Sequence, residues 1–415
     1  MEHLSNDIRT IRFNAALSLG ELGEQASESV SSLITCLEDN DWSICREATK
    51  SLGKIGSSAV DAIPKLAKLL SDDEPSIKKE AAIALGKIGV ATDVAVSSLI
   101  VALEDRDEEM RTEVVNALGK MGAGAHAAVP ALIDCFKDTS WTVRTAAAAA
   151  IDGIGKGSAE AIPALVNALE DPDWRVRHRS INSLTQIGES AVPALMDVVN
   201  HHNPVVRQGV VETLGEMKTT DPKVIDAIAS LLSDKDAKVR GKSADALKSI
   251  GSAAIPVMIQ SYDLVNNKMK VQILSAIGGI GQDAESAIPH VITMLREGGT
   301  KIRIEAVRAL GKIGLTAEQV IKALESALVD PKGDVRREAA LSLGKLGSNA
   351  SDAIPSLLNA MNDKQPEVRW RASEALGYIG IASNEVVSGL ELRIHDEKDF
   401  VAEAAQEALD LIGGE

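Results

Sequence analysis

The stretch 77–89 reads IKKEAAIALGKIG, and its apolar residues Ile77, Ala81, Ala84, Leu85 and Ile88 recur at the spacing of one helix face. The same thirteen-letter frame returns as ICREATKSLGKIG (44–56), MRTEVVNALGKMG (110–122), IRIEAVRALGKIG (302–314) and VRREAALSLGKLG (335–347). Thirteen copies run from residue 11 to residue 413, spaced by 33 residues except for two steps of 30. A fixed period of this length marks an array in which no unit buries its apolar face alone and stacking supplies the core.

A second apolar segment lies between successive copies, typified by SAVDAIPKLAKLLSD (58–72) and SAEAIPALVNALED (158–171), so each unit reads as a helical hairpin. Seven prolines, among them Pro64, Pro130, Pro163 and Pro193, share one column near the start of that second helix, where a missing N–H costs least. Composition agrees with an all-α chain. Aromatic residues are 2% of the 415 and hydrophobic residues 45%, so the core is built of small aliphatic side chains. The formal charge of −16 argues against a general phosphate-backbone binder. Cys36, Cys45 and Cys135 form no CxxC pair and suit a reducing compartment. The N-terminus lacks a signal pattern and no apolar run spans a membrane, so the expected setting is cytoplasmic, without membrane contact.

The pattern D-x-x-x-V/I-R-x-x-A-x-x-x-L-G-x-I-G followed by A-I-P-x-L resembles the HEAT repeat, in the short bacterial and archaeal form named after the phycobilisome lyases. The resemblance implies a right-handed α-solenoid of about 12–13 hairpins whose concave wall is lined by one helix of each. It also implies a wide choice of function, since the family includes scaffolds, subunits of large complexes, bilin lyases and a few metal or DNA enzymes. The expected organisation is one continuous solenoid over 1–415, with a capping half-repeat at 1–23 and regular repeats at 24–155. Divergent central repeats follow at 156–281, regular ones at 282–380, and a C-terminal capping repeat at 381–415.

Each frame has a basic column, occupied by Arg12, Arg144, Arg177 and their equivalents. At about 100° per residue, positions one before and three, six, seven and ten after it form the core face. Positions one, two, five and nine after it fall on the opposite face, which the resemblance places on the groove. The basic column itself is expected to pair with an aspartate six positions before the next copy's basic residue, as a ladder between turns. Glu47, Glu80, Glu113, Glu305 and Glu338, with Lys54, Lys87, Lys120, Lys312 and Lys345, read as a solvated, charge-balanced wall.

The centre departs from that wall. VRTAAAAAIDGIG (143–155) keeps its core yet strips long side chains from the groove face, leaving Thr145, Ala146 and Ala149 beside the polar His178, Arg179, Asn182 and Gln186. The candidate protein-binding set continues through Glu212, Lys242, Asp245 and Gln272, and a second group joins Trp370, Arg371 and Tyr378. Both 30-residue steps fall here, and the seventh copy ends in Lys218 where others have glycine, so its helix is expected to end differently. Trp42, Trp141 and Trp174 share one column and are expected to pack over the turn between helices.

No catalytic residues are assigned. The seven histidines contain no HExxH and none of the His-Glu pairs by which HEAT-type deoxyhypusine hydroxylases hold iron, and His201-His202 reads as a solvated turn. No metal or cofactor is expected. The leading expectation is a non-catalytic scaffold, monomeric by itself, binding protein partners along its groove. The alternatives are a bilin-lyase-like accessory factor and a nucleic-acid binder using central basic residues such as Arg175, Arg207, Arg240 and Lys270.

Overall fold

The computed structural model describes residues 2–314 and 318–413, and among these the chain is helical throughout, with no strand. It divides into two compact units, Met1–Thr213 and Leu214–Glu415. In the first, long helices such as Trp42–Ile55, Pro75–Ile88 and Trp141–Ile154 alternate with short ones such as Ile63–Leu69 and Val129–Asp134. The second repeats the alternation with Thr300–Ile313, Gly333–Lys345 and Pro366–Ile379 against Ile288–Glu297 and Ile354–Ala360.

The core face is the one that the helical wheel selects. In Trp42–Ile55 the five core positions, Ile44, Ala48, Ser51, Leu52 and Ile55, are each 0% exposed. Several long helices start on a side-chain cap. Asp41 accepts from the Ser43 N–H at 2.9 Å and Asp173 from the Arg175 N–H at 2.8 Å, satisfying donors the helix leaves open. At the far end a left-handed residue stops the helix, as at Gly56 with φ 76°. Lys218 takes the same left-handed turn at φ 52°, so the helix with the missing glycine ends as its neighbours do, against expectation. A side chain in that conformation costs about 1 kcal/mol.

Successive long helices meet at very short range because their contact columns hold only small residues. A Cβ added to Gly86 would lie 2.8 Å from the Ala117 Cα, and one on Gly344 would lie 3.0 Å from the Ala375 Cα. The aliphatic stems of Lys87 and Lys120 lie over Gly53 and Gly86, each with Cδ 3.5 Å from where a glycine Cβ would be. This close approach shuts the column two residues after the basic position. Lys54, Lys87, Lys120, Lys312 and Lys345 stay exposed and Glu80 and Glu113 partly so. Glu47, Glu305 and Glu338, however, are 3%, 7% and 5% exposed, so the expected solvated wall loses part of its acidic side to a seam between adjacent helices. Arg308 bridges the last two, 2.9 Å from Glu338 and 3.4 Å from Glu305. Burial raises the carboxyl pKa of Glu80, opposed by Lys87 and Lys50.

On the other edge the basic column forms the expected ladder. Arg144 grips Asp171 of the next repeat through Nε (2.6 Å) and Nη2 (2.9 Å). Its Nη1 donates to two carbonyls of its own turn, Asp138 (2.9 Å) and Thr139 (3.1 Å). Arg111–Asp138, Arg303–Asp330, Arg336–Asp363 and Arg369–Asp396 repeat this fork, with Nε–Oδ2 distances of 2.6–2.8 Å. Lys78 makes the equivalent contact to Asp105 at 2.6 Å. At Cys45 the column has no cation, and the thiol donates to the Leu37 carbonyl at 3.2 Å. Burial pushes that thiol up to about 11, which makes it unreactive at neutral pH.

The two shortened steps change both linker and ladder. The 3-10 linkers Gly56–Ala62 and Gly155–Ala161 span seven residues, whereas Gly188–Ala191 and Gly251–Ala254 span four. The ladder aspartate is then replaced by His201 in one case and by Leu264, 78% exposed, in the other. Arg177 and Arg240 keep their turn carbonyls, at 2.7 Å from Asp171 and Asp234, without a carboxylate partner among the described residues.

Two outcomes follow. Gly86→Ala lowers stability by about 1–3 kcal/mol through overpacking, although alanine is the better helix former. Gly241→Ala, inside Ala237–Ile250 with nothing within 4 Å of its Cβ position, raises it by up to about 1 kcal/mol. Urea melts of both variants read the sign reversal. Acid supplies the second test. Hydrogen bonds from Lys78 and Arg369 hold Asp105 and Asp396 below the usual carboxylate range. Their stabilisation is complete above an unfolded value of about 3.9 and is lost as pH falls through the lower folded values. Asp396→Asn, at a pair only 8% and 2% exposed, costs about 2–3 kcal/mol at pH 7 and flattens the acid limb of the stability profile.

Candidate interaction surface

The exposed aromatic residues lie mostly at helix starts. Trp42, Trp141 and Trp174 each occupy the first residue of a long helix and are 52%, 37% and 63% exposed. The sequence expectation that they pack over the turn is therefore corrected. A side chain at that first position stays open to solvent on one face, and an arginine covers the other at Trp141.

Trp141 is stacked by an arginine of the following repeat. The Arg175 guanidinium lies 3.4 Å from the Trp141 ring centroid, reaching from one repeat to the previous one. Asp173 fixes it in place, accepting from Nε at 3.0 Å and Nη2 at 2.7 Å while also capping the helix. The hydrogen bond from Arg175 is the main reason that the Asp173 carboxyl falls to about 2. One indole with a stacked, anchored guanidinium results, and Trp174, exposed, precedes that arginine by one residue. Arg46 stands over Trp42 more loosely, at 5.3 Å.

The candidate groove residues divide between the units. In the first, His178 and Gln186 are exposed, while Thr145, Ala149, Arg179, Asn182 and Glu212 are partly exposed. Thr145 turns its hydroxyl back to the Trp141 carbonyl at 2.8 Å. Ala146, only 7% exposed, belongs to the closed seam and not to an open floor, which corrects the reading of the alanine run. Gly153 serves the same seam, since a Cβ there would meet the Gly119 carbonyl oxygen at 2.6 Å. Arg179 enters the seam where other repeats have glutamate. It lies 3.5 Å from Asp152, and its Nε is buried without a hydrogen-bond partner.

In the second unit, Asp245 is exposed and Lys242 and Gln272 partly so. Trp370 meets Phe400 of the next repeat edge to face, with centroids 5.8 Å apart, and carries Arg371 over its ring at 3.7 Å. Arg371 also pairs with Glu374. Tyr378, 53% exposed, lays its ring edge over Gly344 as lysine stems do in other repeats. This group is thus partly committed to holding repeats together.

Comparison with known proteins bears on the whole chain. A family model described as HEAT repeats matches in overlapping windows, 1–86, 63–152, 138–214, 162–248, 192–267, 263–344 and 321–410. The chain belongs to the HEAT-repeat family. No curated protein sequence matches it. Among solved HEAT-like folds it is similar to Kap121p bound to Nup53p, at 14% identity and TM-score 0.59, covering 94% of this chain and 49% of that one. Kap121p bound to Ste12p gives the same values. Kap95p in its complex with RanGDP gives 15% identity and TM-score 0.51, covering 99% of this chain and 65% of that one. The chain spans about half the length of the first of these solenoids, and the likeness is one of fold.

The surface that sequence reasoning missed is Trp141, Arg175 and Trp174. Its signal was present: tryptophan directly after a capping Asp or Ser sits outside the helix–helix contact. Trp174→Ala should leave unfolding within about 0.5 kcal/mol of the parent, where a buried tryptophan would cost about 3–5 kcal/mol. Thermal melts followed by circular dichroism check this.

Proposed function

We propose that this HEAT-repeat protein is a non-catalytic scaffold that binds a protein partner, with Trp141, Arg175 and Trp174 as its principal contact. The carrying observation is that Trp141 and Trp174, from a residue type scarce throughout the chain, stand exposed at the starts of consecutive repeats, with Arg175 held over Trp141. Tryptophan and arginine dominate binding hot spots because they bury much area from a rigid framework. The groove residues His178, Arg179, Asn182 and Gln186 lie on the helix that Trp174 begins and extend the contact. Trp370, Arg371 and Tyr378 are a second, weaker contact. That the Kap121p structures were solved bound to Nup53p and Ste12p supports the use of such a solenoid for proteins. The expected setting is cytoplasmic, and among the described residues no helix is long and apolar enough to cross a membrane.

Nucleic-acid binding through the central basic residues lacks comparable support. Arg175 is committed to Asp173 and Trp141, and Arg177 and Arg240 direct Nη1 at turn carbonyls. A bilin-lyase-like role needs an enclosed, tetrapyrrole-sized cavity, and no observation carries that reading.

Affinity purification from the native source, followed by titration of the recovered partner, tests the scaffold. Trp174→Ala and Arg175→Ala should each weaken binding about tenfold or more, with Trp370→Ala weaker in effect. A partner held equally well by both first variants removes this surface as the contact. A lone monomer that turns over a small molecule overturns the scaffold itself.

A further inference from the structure

The turn 198–203 breaks the ladder in a way that gathers metal-ligating side chains. At this column other repeats place an aspartate, such as Asp138 or Asp171, whose carboxylate is gripped by the preceding repeat's arginine. Here the residue is His201. The backbone of the turn is unchanged, since Arg207 Nη1 donates to the carbonyls of His201 at 2.6 Å and His202 at 3.1 Å, as Arg144 does to Asp138 and Thr139. Shape therefore does not call for histidine. The exchange has one chemical effect, replacing a carboxylate bound to an arginine by an imidazole with a second imidazole beside it.

The fold then brings up a carboxylate that the sequence keeps thirty-one residues away. Glu170, at the end of the previous repeat's short helix, accepts from Asn203 Nδ2 at 2.8 Å, which holds it against the turn. Glu170, His201 and His202 each offer one ligand atom, and these three atoms lie within 4.8 Å of one another. The two imidazoles are 4.3 Å apart, centroid to centroid. A tetrahedral site with metal–nitrogen and metal–oxygen bonds of about 2.0–2.2 Å needs ligand atoms about 3.3–3.5 Å apart. Small rotations of these side chains close the difference, and Glu170 and His202 are exposed enough to make them. The contact from the Asn203 N–H to His201 Nδ1 is long, at 3.3 Å, and gives way at little cost.

We propose that Glu170, His201 and His202 form a binding site for one divalent transition-metal ion of the zinc class. Two imidazoles and one carboxylate suit zinc, nickel or copper, whereas calcium and magnesium prefer all-oxygen sets. Water fills the fourth position. The hydrogen bond from Asn203 orients the carboxylate as supporting residues do in other metal centres. The ion ties the turn at 198–203 to the turn of the preceding repeat, restoring by coordination the cross-link that the ladder loses at this step.

The test uses the full chain, stripped with chelator and titrated with zinc chloride alone by calorimetry, and with cobalt chloride by visible absorbance. One ion per chain, a cobalt spectrum of tetrahedral type, and about tenfold or greater weakening in both His202→Ala and Glu170→Gln support the site. Both side chains are exposed, so metal-free melting temperatures of the variants should match the parent. Absence of saturable one-to-one binding in the parent overturns the proposal. So does parental affinity in both variants, which would place the ion on other surface carboxylates.

Discussion

Everything in each unit depends on how closely neighbouring long helices approach. Pairs such as Gly86 with Ala117 and Gly344 with Ala375 bring backbones to a distance that no larger side chain allows. Three consequences come from this one contact. The core is filled with alanine, leucine and isoleucine, because wider gaps that would need aromatic residues never open. A column that a simple wheel assigns to solvent is largely closed, and Glu47, Glu305 and Glu338 in it are buried. Three of the four tryptophans, Trp42, Trp141 and Trp174, are left for helix starts, where the approach no longer constrains them.

The ladder is the second element of the design and works at the opposite edge. Each arginine of a complete fork satisfies one or two carbonyls of its own turn and one carboxylate of the next, so a single side chain shapes one turn and locks another. Bidentate, charge-assisted geometry makes lysine a partial substitute, as Lys78 is, and makes the loss of the carboxylate at His201 and Leu264 a marked change.

Most of the fold could be read from the sequence because period, core columns and ladder partners are written in residue types that recur. The core face in Trp42–Ile55 and the arginine–aspartate pairing needed only helical geometry. The candidate site was less legible. Wheel angles give direction but not the distance to the neighbouring helix, so Ala146 and Glu47 were placed on an open face that small residues had closed. Trp42, Trp141 and Trp174 are more exposed than expected because recurrence in one column does not by itself mean packing, and that column lies at the exposed first residue of the helix. Glu170 had no sequence link to His201, since their proximity arises across a repeat boundary and a shortened linker.

The ladder also bears on how such a protein can change over time. Its turns satisfy their own carbonyls with an arginine that contacts no outside molecule, and its helices meet through residues too small to carry recognition. The side chains between these two fixed edges, such as those at Trp174, His178 and Gln186, answer to neither. Substitution there can proceed one residue at a time without passing through an unstable intermediate. The same repeat, copied along the chain, can therefore acquire a different chemical surface in each copy while the architecture that presents it stays constant.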